Sequence, residues 1–124
     1  MLNQVLFYLA AAFVAIWGIA HLFPTRNIVK DFRDISEDNR NIIAMEWIIE
    51  GLSLIFIGLL VALVTSIDHT GTVSKAVYGA SAGMLLVLTI LSLFTGFKVN
   101  FLPFKLCPLI FTVAAVLIIL GLVL

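Results

Sequence analysis

The sequence predicts an all-α integral membrane protein, an antiparallel four-helix bundle with a short interfacial helix between spans one and two. Three observations predict it. Hydrophobic residues make up 63% of the 124 and charged residues only 11%, with a mean hydropathy of +1.23, far from the composition of soluble domains. At roughly 20 apolar residues per crossing there is room for four spans and short connections, so residues 1–124 form a single transmembrane domain. The basic residues gather in two of the three connections rather than spreading along the chain.

Span one, about 4–23, ends at Pro24 and lacks the basic leader and short apolar core of a signal peptide, so it reads as a retained span. Near its end Trp17 and His21 share one helical face. Thr25 to Arg40 is the one long polar segment; within it, Ile28, Phe32 and Ile35 recur at helical spacing opposite charges. That pattern predicts an amphipathic interfacial helix over about 27–35, with an ordinary charged loop as the alternative.

Ser36 is a good N-cap, followed by Glu37 and Asp38 where the helix dipole favours negative charge. A helix from there to Ile67 is roughly 45 Å long and exceeds the hydrocarbon thickness, so the crossing itself is about 41–67. Glu46 then lies near the boundary and Glu50 about 6 Å deeper, with Ser53 on the same stripe. Gly51 and Gly58, seven apart, allow close packing on a neighbouring face.

Ser66 to Lys75 is a turn-rich connection. Span three, about 76–97, opens with Gly79-Ala80-Ser81-Ala82-Gly83, a GxxxG pattern that predicts close helix packing within the chain, or else a homodimer seam through Gly79 and Gly83. Span four, about 106–124, is almost wholly aliphatic; Pro108 is expected in its first turn and Cys107 at its entrance. A single cysteine excludes an intrachain disulfide.

Arg26, Lys30, Arg33 and Arg40 lie between spans one and two, Lys98 and Lys105 between spans three and four, and only Lys75 on the other side. This bias predicts a plasma (inner) membrane protein with loops 24–40 and 98–105 cytoplasmic and both termini outside. The few juxtamembrane basic residues exclude nucleic acid as a principal partner; the bilayer is the expected one.

Glu46-Trp47-Ile48-Ile49-Glu50-Gly51 places two carboxylates one turn apart in a segment greasy enough to cross a bilayer. Such groups usually face a bundle interior and mark function, so Glu50 is expected to be a buried glutamate. Consecutive spans tend to be neighbours, which brings His21, Glu46 and Glu50 together as the candidate catalytic set. Trp17, Trp47, Ser53, Arg26 and Arg40, with Cys107, are the candidate ligand-binding surround, and Lys98 and Lys105 complete a basic ring at the mouth.

This pocket suits proton transfer on, or binding of, a lipid-soluble quinone, isoprenoid or sterol-like molecule entering sideways from the membrane. It also suits a small proton-coupled carrier. The ligand set falls short of a carboxylate di-iron site, so no metal is assigned, and the sequence names no cofactor. The plainer reading is a non-catalytic subunit or anchor: Glu46 pairs with Arg40 or Arg26, the tryptophans are belt aromatics, and His21 caps helix one.

Gly18-Ile19-Ala20-His21-Leu22-Phe23, followed by Glu46-Trp47-Ile48-Ile49-Glu50-Gly51 and the apolar run to Gly58, resembles the small four-helix DoxX-like membrane proteins over roughly Ala12 to Leu60. The first connection here is longer and more charged than in those proteins. The resemblance implies a four-helix fold, a role in some members beside quinone-linked or thiol-stress oxidoreductases, and His21, Glu50, Gly51 and Gly58 as the residues in common. A second likeness, to sterol-isomerase-like bundles that use histidine, glutamate and tryptophan, implies an apolar-ligand pocket.

Overall fold

The computed structural model describes residues 1–124, apart from the side chain of Phe97. The chain is all-helical: α1 (Leu2–Leu22), α2 (Thr25–Asp31), α3 (Glu37–Asp68), α4 (Thr72–Thr95), one 3₁₀ turn (Gly96–Lys98) and α5 (Leu102–Val123). Among the described residues there is no strand, and α1, α3, α4 and α5 are each long and apolar enough to cross a membrane.

Local chemistry explains most of the boundaries. The Thr25 hydroxyl donates to the Leu22 carbonyl at 2.6 Å, satisfying an acceptor that the end of α1 leaves open. Ser36 caps α3 as predicted, its hydroxyl accepting from the Asn39 N–H at 3.1 Å. The interfacial-helix segment differs from expectation. The helix spans Thr25–Asp31 and buries Val29, whereas Phe32 leaves the helix at ψ 87 and is exposed. Asp34 then adopts φ 59, a left-handed conformation its short polar side chain tolerates, and the chain turns into the Ser36 cap. At the other end, α5 starts four residues earlier than predicted because Pro103 sits in its first turn, a favoured site. Pro108 therefore lies inside the helix, where it leaves the Phe104 carbonyl without its intrahelical partner.

Each long helix packs on two others, in the cyclic order α1, α3, α4, α5, and the α3–α4 seam is the thinnest. The α1–α3 seam is tight because three glycines line it. A Cβ at Gly18 would stand 2.7 Å from the Gly51 carbonyl oxygen, and one at Gly58 would stand 2.6 Å from that of Ala11. Gly51 and Gly58 thus do what their spacing predicts. The GxxxG pattern of α4 does not pack within the chain: a Cβ at Gly79 or Gly83 meets nothing within 4 Å. Tyr78, Ser81, Ala82 and Leu85 form the buried face of α4, and the 100° step of the helix carries both glycines to its outside.

One part of the core lies where the start of α1 meets the end of α3 and the start of α4. Phe7 and Tyr78 stack with ring centroids 3.8 Å apart. The Tyr78 hydroxyl lies 2.8 Å from the Thr65 hydroxyl, which itself donates to the Val61 carbonyl. With the threonine proton committed, Tyr78 is the donor between them. Gln4 meets His69 at 3.0 Å at this same end, so the polar groups that matter for a site are free to gather at the other.

Candidate functional site

At that other end, His21 occupies the last turn of α1 and is 9% exposed. Trp47 and Glu50, three residues apart on α3, reach it from one helix face. The indole of Trp47 stacks on the imidazole with centroids 4.0 Å apart and planes 14° from parallel. Its N–H donates to the main-chain oxygen of His21 at 2.7 Å, satisfying a second open carbonyl at the end of α1. The glycine contacts of the α1–α3 seam bring the two helices close enough for both interactions.

Glu50 Oε2 stands 3.4 Å from His21 Nε2. That is an ion-pair distance, but the geometry does not make a hydrogen bond, and His21 Nε2 is left buried with no partner. One turn earlier on α1, Trp17 Nε1 is also buried and makes no geometrically sound hydrogen bond, its polar neighbour being the Cys107 thiol, a weak acceptor. Buried polar groups are nearly always satisfied, and an orphan costs about 1–3 kcal/mol. Both of these groups belong to residues that line one cavity.

The cavity measures about 430 Å³. Trp17, His21, Trp47 and Glu50 form its α1 and α3 walls, while Leu88, Leu91, Ser92 and Thr95 form the α4 wall. Cys107 and Phe111 come from α5, and Phe101 and Phe104 close the end. Trp47 meets Phe104 edge-on at 5.4 Å, and Phe104 lies 5.8 Å from Phe101. The Ser92 and Thr95 hydroxyls donate to carbonyls of their own helix at 2.6 and 2.7 Å, which leaves them facing the cavity as acceptors only.

The structure thus brings together His21, Glu50, Trp17, Trp47 and Cys107. It does not bring the remaining candidates to them. Glu46 is exposed on a shallow groove along α3 with Ile42, Ile43 and Ile49, and Ser53 is exposed outside the buried Gly51–Leu54–Gly58 stripe. Arg26, Arg40, Lys98 and Lys105 are exposed and do not line the cavity. Among the described residues Glu46 has no ion pair with Arg26 or Arg40, and no three His, Cys, Asp or Glu side chains converge as a metal site would need.

The expected buried glutamate is corrected: the Glu50 side chain is 45% exposed, at the edge of the cavity rather than inside it. It lies to one side of the Gly51–Gly58 stripe that faces α1, so the close approach of those helices leaves its carboxylate at the rim. The α4 wall was missed from the sequence. Ser92 and Thr95, one turn apart near the end of an apolar span, were the available signal. No protein-family model, curated protein or solved structure matches the chain.

Proposed function

We propose that the chain is an integral membrane protein whose long helices run antiparallel, and that its cavity binds a lipid-soluble molecule carrying an oxygen acceptor. The single observation that carries the reading is the pair of unmet buried groups, Trp17 Nε1 and His21 Nε2, in an otherwise apolar and aromatic cavity. An indole N–H only donates, while an imidazole nitrogen donates or accepts by tautomer. A quinone, isoprenoid alcohol or sterol-like molecule offers the matching oxygen on an apolar body. The 3.4 Å approach of Glu50 to His21 supports proton exchange with that ligand as a further step. His21 and Glu50 are then the proton-handling pair, and Trp17 and Trp47 hold the ligand.

The antiparallel arrangement is supported by the pairing of ends, with Gln4 beside His69 and His21 beside Trp47. The basic residues near the His21 end support a cytoplasmic placement of that end in an inner membrane. The likeness to DoxX-like proteins belongs to the same proposal, since His21 and Glu50 meet at the cavity and Gly51 and Gly58 form the seam that brings them there.

The test is thermal unfolding of the purified protein in detergent with a quinone, an isoprenoid alcohol and a sterol. At least one is expected to raise the Tm of the wild type and not that of a Trp17→Phe, Glu50→Gln double variant, whose own Tm stays close to wild type. No shift with any of the three, or a double variant that responds as the wild type does, leaves a non-catalytic subunit, anchor or small carrier as the better reading.

A further inference from the structure

The cavity has a floor, three walls and a closed end, and one side where the packing thins. Its end is covered by the chain of contacts from His21 through Trp47 and Phe104 to Phe101. The α1–α3 seam is shut by Gly18 and Gly51, and α1 and α5 pack far more densely than α3 and α4. The α3–α4 contact includes the Thr65–Tyr78 hydrogen bond near their connection. Toward the cavity, the stripe that runs from Val61 back through Ile57 and Leu54 ends at Glu50. The lining residues exposed on this side are Glu50 on α3 and Leu91 and Thr95 on α4, whereas Leu88 and Ser92 lie deeper. Trp47 and Glu50 also line the groove on the outer face of α3, so inside and outside share a rim.

We propose that the ligand enters sideways through the seam between α3 and α4, past Glu50, Leu91 and Thr95, and that only its head is enclosed. This rests on the ligand-binding reading and names the route and the class. A volume of about 430 Å³ lies toward the small end of ligand pockets and equals about fourteen water volumes, room for a ring and a short tail but not for a polyisoprenoid chain as well. The ring carries no negative charge, because among the described lining residues Lys and Arg are absent and the one carboxylate would repel an anion. It stacks among Trp17, Trp47 and Phe111, presents an oxygen to the Trp17 N–H, and leaves its tail in the seam and the surrounding lipid. The occupant is an amphiphile whose head is a ring that bears an acceptor and no negative charge.

Cys107 makes the route measurable: it is the only cysteine, it lines the cavity and it is 8% exposed. The experiment follows maleimide addition to Cys107 by mass in the full-length protein in phosphatidylcholine vesicles. N-phenylmaleimide and N-dodecylmaleimide are both expected to label it. A sulfonated phenylmaleimide is expected to be about a hundredfold slower, since a fixed charge is costly to bring through hydrocarbon. Filling the seam with Leu91→Trp or Thr95→Trp should slow N-phenylmaleimide about tenfold by occupying the gap, while Gly79→Trp on the outer face of α4 leaves the rate unchanged. Two seam variants are used so that loss of folding in one does not decide the outcome. The route is overturned by equal labelling with the sulfonated reagent, by no labelling of the folded wild type where the unfolded protein labels, or by slowing in Ala20→Trp, on the α1 side of the cavity, but in neither seam variant. Labelling needs no ligand, so a failed Tm screen with successful labelling rejects the binding reading alone, and the converse rejects the route alone.

Discussion

Trp47 holds His21 by both its ring and its edge: the indole stacks on the imidazole at 4.0 Å while its N–H reaches the histidine's own carbonyl at 2.7 Å. One side chain of α3 thereby fixes the last turn of α1 and the orientation of the group that faces the cavity. Trp47→Phe keeps a ring but loses the donor, leaving that carbonyl unmet. It is expected to lower stability in detergent by about 1 kcal/mol and to weaken any ligand-dependent rise in Tm, both read by thermal unfolding.

The two sets of glycines should separate cleanly. Gly58→Ala and Gly18→Ala place a methyl against a backbone oxygen, which cannot move aside as a side chain can. Each is expected to cost about 1–3 kcal/mol. Gly79→Ala and Gly83→Ala meet open space within the chain and are expected to be neutral or mildly stabilising, since alanine favours a helix over glycine by about 1 kcal/mol. If the homodimer proposed from these glycines exists, larger residues there weaken it, and light scattering of Gly79→Leu, Gly83→Leu in detergent reads that loss without a change in the fold of each copy.

Asymmetry is also expected across the Tyr78–Thr65 bond. Tyr78→Phe removes the donor but leaves the Thr65 hydroxyl bonded to Val61, so the cost should be near 1 kcal/mol. Thr65→Val strands the tyrosine hydroxyl at a position of 0% exposure, and that residue is expected to be the costlier of the two by about 1 kcal/mol or more. Equal effects in chemical denaturation would show that the tyrosine hydroxyl has found another partner.

Ser36→Ala tests the entry to α3. The serine hydroxyl meets the Asn39 N–H ahead of the acidic first turn, and its loss should cost about 1 kcal/mol. Hydrogen exchange should rise in the first turns of α3 and stay unchanged around Leu54. A uniform rise along the helix would contradict a purely local cap.

Composition and local chemistry determined the four long apolar helices, the Ser36 start of α3, the Gly51 and Gly58 seam, and the meeting of His21 with Glu50, though not with Glu46. These signals act within a helical turn or between consecutive spans, so one sequence displays them. The faces of the helices were decided only in the tertiary structure. The outside of this bundle is as apolar as the inside: Phe56, Leu59 and Leu63 are exposed while Leu54 and Val61 are buried on the same helix. Hydrophobic periodicity then carries no direction. For that reason Gly79 and Gly83 turn outward, Glu50 stands at the rim and Ser53 falls outside it, and α4 contributes a wall that its own residues did not announce. Which neighbour each face meets depends on bulky partners far along the chain, such as Phe7 against Tyr78, and those contacts exist only once the helices have packed.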